Sequence, residues 1–168
     1  MSFSPIPKYY FDKLTDIKPD FLKEEGISLL LLDLDNTISP YKIHEPTDEI
    51  KMWSEEMKAG GITLYIVSNN RSSKRAGGFA EAMGISFIYR ACKPSIRGAV
   101  AAMEQAGKTA QETALVGDQV YTDILTANRC GASGILVRPI SLKNPLIFVR
   151  YLLEMPFRNM CKYDFRRK

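Results

Sequence analysis

Runs of apolar residues alternate along the chain with segments of helical period. The uninterrupted run Ser28–Asp33 (SLLLLD) predicts a strand that is buried on both faces, as strands of parallel sheets are. Further strands are predicted at Ile62–Val67, Ile85–Tyr89, Thr113–Val116 and Gly134–Val137. Helices are predicted at Thr47–Lys58, about Ser72–Met83, Pro94 to about Ala106, and Thr122–Arg129. This alternation predicts a Rossmann-like α/β domain of three layers, α/β/α, with a parallel sheet in the middle.

The two ends of the chain follow other patterns. Residues 1–26 are aromatic and mixed in charge, without a clear period, and predict no element. The segment Pro145–Phe157 predicts an amphipathic helix that ends before Pro156. We expect a single domain over residues 1–168, with a core of about 27–140 and a basic amphipathic tail of about 141–168.

Composition excludes several classes of protein. The chain has 168 residues, of which 45% are hydrophobic and 25% charged, as is usual for a globular domain. The longest apolar run is too short for a membrane span and the N-terminus lacks a secretory pattern, so we expect a cytoplasmic protein. Three scattered cysteines without a CxxC pair, and a single histidine, argue against a disulfide scaffold, a structural zinc site and a His-based triad.

Positive charge is concentrated in the tail. The net charge of the chain is +4. The segment from Ser141 onward contains seven basic and two acidic residues, so the rest of the chain is slightly acidic. Local basic patches indicate partners rather than fold.

Polar side chains follow the predicted strands where the carboxyl ends of a parallel sheet would converge. Because ligands bind at this edge of open α/β sheets, these side chains form one candidate site. Its members are Asp33, Asp35, Thr37, Ser68, Asn69, Lys93, Asp118 and Asp123.

The chemistry of this set fits phosphoryl transfer. The Asp33 carboxylate can attack phosphorus and form an aspartyl-phosphate. Asp33 and Asp118 are candidate ligands of Mg²⁺, a hard cation that prefers oxygen, and Asp123 is a further ligand or orients water. Asp35 can protonate the leaving oxygen and later accept a proton from water.

The remaining members support that reaction. Ser68, with Asn69 beside it, and Lys93 are expected to hold the phosphate oxygens. Thr37 is expected to orient the loop.

Four strings match a known superfamily. The chain reads DLDNT from Asp33, VSNN around Ser68, ACKP around Lys93 and GDQVYTD from Gly117 to Asp123, which includes Asp118. In order and spacing these strings resemble the four motifs of the haloacid dehalogenase (HAD) superfamily, over about residues 29–137. The resemblance implies that Asp33 is the nucleophile and that the backbone carbonyl of Asp35 joins Asp33 and Asp118 as a metal ligand. The acid at Asp35 implies a phosphatase rather than a dehalogenase.

The spacing between the motifs leaves no room for a cap domain. Between Asp35 and Ser68 there is space for one loop and one helix, and between Ser68 and Lys93 for one helix and a short strand. These are the places where the superfamily inserts caps. An uncapped site is expected to accept a large or surface-presented phosphorylated substrate.

More narrowly, the motifs resemble subfamily IIIA, the YqeG-type phosphatases related to phosphatidylglycerophosphate phosphatases. This implies phosphatidylglycerophosphate of phospholipid metabolism as the candidate substrate. The basic, partly apolar tail suggests a peripheral contact with the inner face of the membrane, although packing of the tail on the domain is also consistent with its pattern.

Two other functions remain open at this point. One is a phosphoprotein phosphatase, and the other is a non-catalytic binding or regulatory module that uses its basic tail. The complete set of acids disfavours the second, and nucleic acid is not the expected partner. The sequence predicts no particular oligomeric state.

Overall fold

Seven parallel strands form one sheet in the computed structural model, which describes residues 3–166. In chain order, β1 to β7 are Tyr9–Phe11, Leu29–Leu32, Thr63–Val67, Ser86–Ile88, Thr113–Gly117, Ser133–Val137 and Tyr163–Asp164. Helices α1 to α6 are Pro19–Glu24, Asp48–Ala59, Ser73–Met83, Arg97–Ala106, Leu125–Cys130 and Pro145–Asn159. The strand order is β4-β3-β2-β5-β6-β1-β7, which confirms the predicted α/β fold.

β2 lies near the centre of the sheet, between β3 and β5. All four of its leucines are fully buried because both faces of the sheet are covered. Leu30 and Leu32 belong to a core with side chains of α1, α2 and α3, whereas Leu29 and Leu31 belong to a core with α4 and α5. A continuous apolar run is therefore what this position requires.

The helices begin and end close to the residues that the pattern indicated. The Thr47 side chain accepts a hydrogen bond from the Ile50 N–H at 3.3 Å, which caps α2, and Gly60-Gly61 end it. α4 begins at Arg97, three residues after Pro94, because residues 93–94 form a turn and residues 95–96 a bend. The predicted helix from Thr122 is in fact a π-helical turn, Val120–Ile124, followed by α5.

Two strands come from the ends of the chain. β1 pairs in parallel with β6, and β7 pairs in parallel with β1. Tyr9, Tyr10 and Phe11 are all buried, so β1 has no alternation of apolar and polar residues, and three residues are too few to predict a strand.

The predicted end of the last helix before Pro156 is wrong. α6 runs through Pro156 to Asn159. Proline removes one backbone hydrogen bond from a helix, but here Pro156 is exposed and the following turn is held by the buried side chain of Arg158. Within residues 3–166, no helix combines the length and the apolar character needed to cross a membrane.

Candidate active site

The predicted site residues lie at the carboxyl edge of the sheet, beginning with the loop after β2. Asp33 is buried and directly follows the strand. Asn36 adopts a left-handed backbone conformation (φ 70°), which asparagine tolerates, and its side-chain amide binds both the N–H and the C=O of Ser141. The loop is thereby fixed to the segment after β6.

Lys93 connects two carboxylates beneath the surface. Its ammonium lies 2.5 Å from Asp33 Oδ1 and 2.7 Å from Asp123 Oδ1, and all three side chains are almost fully buried. A buried ammonium between two carboxylates is a strong ion pair because little water screens it. Burial lowers the pKa of Lys93, but Asp123 and Asp33 outweigh this effect and hold the pKa above its ordinary value.

Asp118 follows β5 and lies beside Asp33. The Thr37 hydroxyl is 3.3 Å from Asp33 Oδ2 and 3.4 Å from Asp118 Oδ1, so it lies between the two carboxylates. The Asn36 amide donates to Asp118 Oδ2 at 3.3 Å. Thr37 and Asn36 therefore set the positions of both acids.

Gly117 makes room for the Asp123 carboxylate. A Cβ at position 117 would overlap the carboxyl group of Asp123. That carboxyl group also accepts a hydrogen bond from the Gln119 N–H at 3.1 Å. A glycine is needed here because the side chain closes directly over the backbone.

The carboxylates of Asp33, Asp118 and Asp123 form one buried cluster. Their oxygens lie within 4.8 Å of one another. Three carboxylates meet at this cluster, whereas the neighbouring cations are the buried ammonium of Lys93 and the partly exposed guanidinium of Arg150, 3.8 Å from Asp118. Negative charge is therefore in excess, and a bound cation can neutralise it. An all-oxygen donor set of this kind suits a hard cation.

The pKa values of two members reflect that excess of negative charge. Burial, together with Asp123 and Asp118 and against the opposing effect of Lys93, raises the pKa of Asp33 to about 8. Burial and then Asp123 raise the pKa of Asp118 to about 7, against the effects of Arg150 and Arg158. The cluster thus favours a bound proton or a bound cation.

Asp35 points to a different partner. Its carboxylate accepts a hydrogen bond from Arg75 Nε at 2.9 Å, and the same guanidinium donates to the Pro40 carbonyl at 3.0 Å. Arg75 lies on α3 and is buried. It therefore joins the acid to the loop that follows β2.

A cavity of about 320 Å³ opens above this arrangement. Asp33, Asp35, Asn69 and Lys93 line it, as the sequence predicts for a shared site. The other lining side chains are Tyr41, Asn70, Gln119, Thr122 and Arg150. Arg150 reaches the cavity from α6, with its guanidinium 3.8 Å from Asp118 Oδ2.

Ser68 and Asn69 have structural partners at the end of β3. The Ser68 hydroxyl is buried and accepts a hydrogen bond from the Asn70 N–H at 3.1 Å, and Ser68 is not among the residues that line the cavity. The Asn69 amide accepts from the Lys93 N–H at 2.7 Å and donates to the Lys93 carbonyl at 3.0 Å. Asn69 thus fixes the backbone that carries Lys93.

Sequence reasoning missed Arg75, Asn36 and Arg150. A signal existed for Arg75, because it precedes Phe79 by four residues and Met83 by eight and so lies on the apolar stripe of its helix. Nothing in the local sequence indicates that Asn36 binds Ser141 or that Arg150 reaches the cavity, because both contacts join segments more than 30 residues apart.

Comparison with known proteins places the chain in a family. A family model described as mitochondrial PGP phosphatase matches residues 3–140. The probable phosphatase YqeG of Bacillus subtilis (strain 168) is 35% identical over 142 residues, which cover 84% of this chain and 82% of that protein.

Solved structures of low sequence identity share the fold. The cobalt-bound deoxy-D-mannose-octulosonate 8-phosphate phosphatase YrbI of Haemophilus influenzae has a TM-score of 0.58 and 18% identity, over 84% of this chain and 79% of that one. A HAD superfamily (subfamily III A) hydrolase of Legionella pneumophila has a TM-score of 0.55 and 15% identity, over 86% and 77%. The family match and the identity to YqeG show that the chain belongs to the PGP phosphatase family and is a YqeG-type phosphatase.

Proposed function

We propose that this phosphatase hydrolyses phosphatidylglycerophosphate in a Mg²⁺-dependent reaction through a phospho-Asp33 intermediate. The observation that carries the proposal is the Asp33 carboxylate, which lines a surface cavity while it is ion-paired to Lys93 and adjacent to Asp118. A carboxylate held in this way is a candidate nucleophile toward phosphorus.

Asp33, Asp118 and the backbone carbonyl of Asp35 would hold the metal. The excess of negative charge and the oxygen donors of the cluster support a divalent, hard cation. When bound, Mg²⁺ would neutralise charge on the phosphate and polarise its oxygens. Asp123, bound to Lys93 and the Gln119 N–H, would support the cluster from below.

Asp33 would be held for attack through both of its oxygens. Lys93 pairs with Oδ1 and the Thr37 hydroxyl is close to Oδ2, so the carboxylate cannot rotate freely. In the first step an Asp33 oxygen bonds to phosphorus while the bond from phosphorus to the ester oxygen breaks. In the second step a water oxygen bonds to phosphorus while the bond from phosphorus to the Asp33 oxygen breaks, which releases inorganic phosphate and restores the Asp33 carboxylate.

Asp35 would carry the proton in both steps. It gives a proton to the departing ester oxygen and then takes one from the attacking water, so that no net proton is consumed at the enzyme. Its hydrogen bond with Arg75 supports this role because it fixes the carboxyl group at the wall of the cavity.

Lys93, Asn69 and Ser68 would bind the phosphate. The ammonium of Lys93 lies in the cavity wall next to the nucleophile, where it can pair with a phosphate oxygen. Asn69 holds the backbone of Lys93, and the Ser68 hydroxyl would turn from the Asn70 N–H toward the phosphate.

The choice of substrate follows from the family and from the form of the site. The matching family is described by this activity, and the cavity lies beside a helix with exposed apolar side chains. We therefore propose that the lipid is presented at the cytoplasmic face of a membrane and that the segment from residue 141 contacts that membrane.

The test is a substrate panel with purified protein and Mg²⁺. It compares phosphatidylglycerophosphate in mixed vesicles with glycerol 3-phosphate, sugar phosphates, nucleotides and a phosphopeptide. We expect the highest kcat/KM on the lipid and no turnover by Asp33→Asn or in EDTA. Preference for the phosphopeptide would make the protein a phosphoprotein phosphatase. Activity that survives both Asp33→Asn and EDTA would refute the mechanism.

A further inference from the structure

Helix α6 is oriented with its charges inward and its apolar side chains outward. Glu154 and Arg158 are 0% and 1% exposed. Five large apolar residues of the same helix are 45–81% exposed and form what we call the outward face, namely Leu146, Phe148, Val149, Leu152 and Leu153. Val149, Leu152, Leu153 and Pro156 follow the i, i+3, i+4, i+7 spacing of a single helix face.

The inward charges fix this orientation. Arg158 donates hydrogen bonds to Glu154 at 2.7 Å, to the Tyr10 hydroxyl at 3.0 Å and to the Asp118 carbonyl. Glu154 also accepts from the Tyr121 N–H at 3.4 Å. Rotation of α6 to bury its leucines would turn this pair toward solvent and break its contacts with Tyr10, Asp118 and Tyr121, so the outward face stays exposed within the chain.

Exposed charge along the segment that carries the outward face has one sign. Between residues 141 and 163 the only acidic residue is the buried Glu154, whereas Lys143 and Lys162 are exposed and Arg150 is partly exposed. Apolar side chains flanked by cations match a bilayer that contains anionic lipids. Contact with a second copy through the same face would bring cations together without an α6 carboxylate to pair with them.

The position of α6 places the outward face close to the active-site cavity. Arg150, on the flank of the helix, lines the cavity with Asp33 and Asp35, and Tyr41 on the opposite loop is 46% exposed. At 1.5 Å per residue, α6 is about 22 Å long, which suits a helix that lies along a membrane surface. A headgroup at that surface would lie close to the cavity.

We propose that the outward face of α6 is the docking surface of this protein on anionic bilayers. The proposal deepens the proposed function and rests on it for the lipid nature of the substrate. Docking by α6 would keep the protein at the surface where successive substrate headgroups are presented.

The experiment measures binding of the full chain to vesicles of phosphatidylcholine alone or with 30–40% phosphatidylglycerol, roughly the range in which surface charge is strong. We expect wild type to co-sediment with the anionic vesicles. We expect Leu146→Gln/Leu153→Gln to bind about tenfold or more weakly, because two exposed apolar side chains that the bilayer would bury are lost. The matched control is Met52→Gln on α2, which is 72% exposed and should bind like wild type.

A charge variant tests the two lysines that flank the outward face in the sequence. Lys143→Gln/Lys162→Gln should bind anionic vesicles more weakly and with less dependence on salt, and it should match wild type at high salt. Unchanged binding by Leu146→Gln/Leu153→Gln would overturn the proposal. So would the conversion of a dimer to a monomer by Leu146→Gln/Leu153→Gln, measured by light scattering, because α6 would then be a contact between copies.

Hydrolysis assays distinguish a failure of the docking proposal from a failure of the proposed function. All variants should hydrolyse soluble glycerol 3-phosphate or para-nitrophenyl phosphate like wild type, which shows an intact site. Vesicle binding that depends on α6, without hydrolysis of phosphatidylglycerophosphate, would refute the proposed substrate alone. Hydrolysis of that lipid in vesicles by a leucine variant that binds and turns over like wild type would refute the docking proposal alone.

Discussion

The guanidinium of Arg75 binds the Asp35 carboxylate at 2.9 Å and the Pro40 carbonyl at 3.0 Å. One buried side chain thus holds both the proposed proton carrier and the loop that carries it. Arg75 touches none of the other acids of the site through an ion pair in the described residues. We propose that Arg75 positions the Asp35 carboxylate.

Replacement of Arg75 should lower turnover more than stability explains. We expect Arg75→Met to reduce kcat by about 10- to 100-fold, because an unpositioned acid transfers its proton poorly. We expect Arg75→Lys to recover part of the loss. Steady-state kinetics on para-nitrophenyl phosphate measures this, with Lys74→Met, an exposed neighbour, as the control. Wild-type kcat in Arg75→Met would contradict the positioning role.

Lys93 should be essential to the stability of the metal-free site. At pH 8 in EDTA, Lys93→Met leaves Asp33 and Asp123 buried without their cation, and we expect it to cost about 3–5 kcal/mol of unfolding free energy. Urea unfolding measures the loss. Lys51→Met, which removes an exposed pair with Asp48, should cost less than about 1 kcal/mol.

A second variant separates charge from packing at Lys93. Lys93→Met/Asp123→Asn removes one of the buried carboxylates and should regain part of the lost stability, but none of the lost turnover. Equal stability of the single and the double variant would show that packing, not charge, explains the effect.

The stability of the metal-free protein should fall between about pH 4 and pH 8. The folded-state pKa values of Asp33 (about 8) and Asp118 (about 7) lie above their ordinary value of 3.8, so the folded protein retains protons that the unfolded chain releases. This stability is complete below about pH 4 and is lost as the pH rises through the folded-state values.

Thermal unfolding from pH 5 to pH 8 measures this dependence. In EDTA we expect Tm to fall across the range, and we expect Mg²⁺ to raise Tm most at pH 8, because the cation binds the deprotonated acids. Asp33→Asn/Asp118→Asn should flatten the EDTA curve. A wild-type Tm that rises steadily to pH 8 in EDTA would contradict the prediction.

Gly117→Ala should disturb the site through Asp123. The added Cβ would overlap the Asp123 carboxyl group, which must then leave Lys93 and the Gln119 N–H. We expect a loss of about 2 kcal/mol or more in stability and a large loss of activity. The matched control is Gly78→Ala, an exposed helical glycine whose added Cβ would make an ordinary contact with the His44 carbonyl oxygen at 3.9 Å, and it should gain about 0.5–1 kcal/mol. Both values come from urea unfolding.

The parts of this molecule that could be predicted from sequence are those with local causes. The leucine run predicts a buried central strand because both faces of β2 are covered, and Asp33, which follows that strand, meets Lys93 because parallel strands end at one edge. β1 escapes prediction because its three residues are all buried and pair with residues more than 120 positions away.

The orientation of α6 could not be predicted from its own sequence pattern. Its pattern alone would bury the leucines, since apolar stripes usually face the core. A buried Glu154–Arg158 pair and the contacts of Arg158 with Tyr10 and Asp118 determine the opposite orientation. The i, i+4 spacing of these two charges is visible in the sequence, but their burial depends on partners from distant segments.

The strand β7 changes what the last part of the chain is. Because β7 pairs with β1, the path from β6 through α6 to β7 is a βαβ crossover that passes over β1, closed at both ends by the sheet. The chain is therefore held in the sheet both before α6, by β6, and after it, by β7. Truncation before Tyr163 would open one end of this crossover and leave the contacts of Arg158 with Tyr10 and Asp118 to hold Arg150 at the cavity it borders.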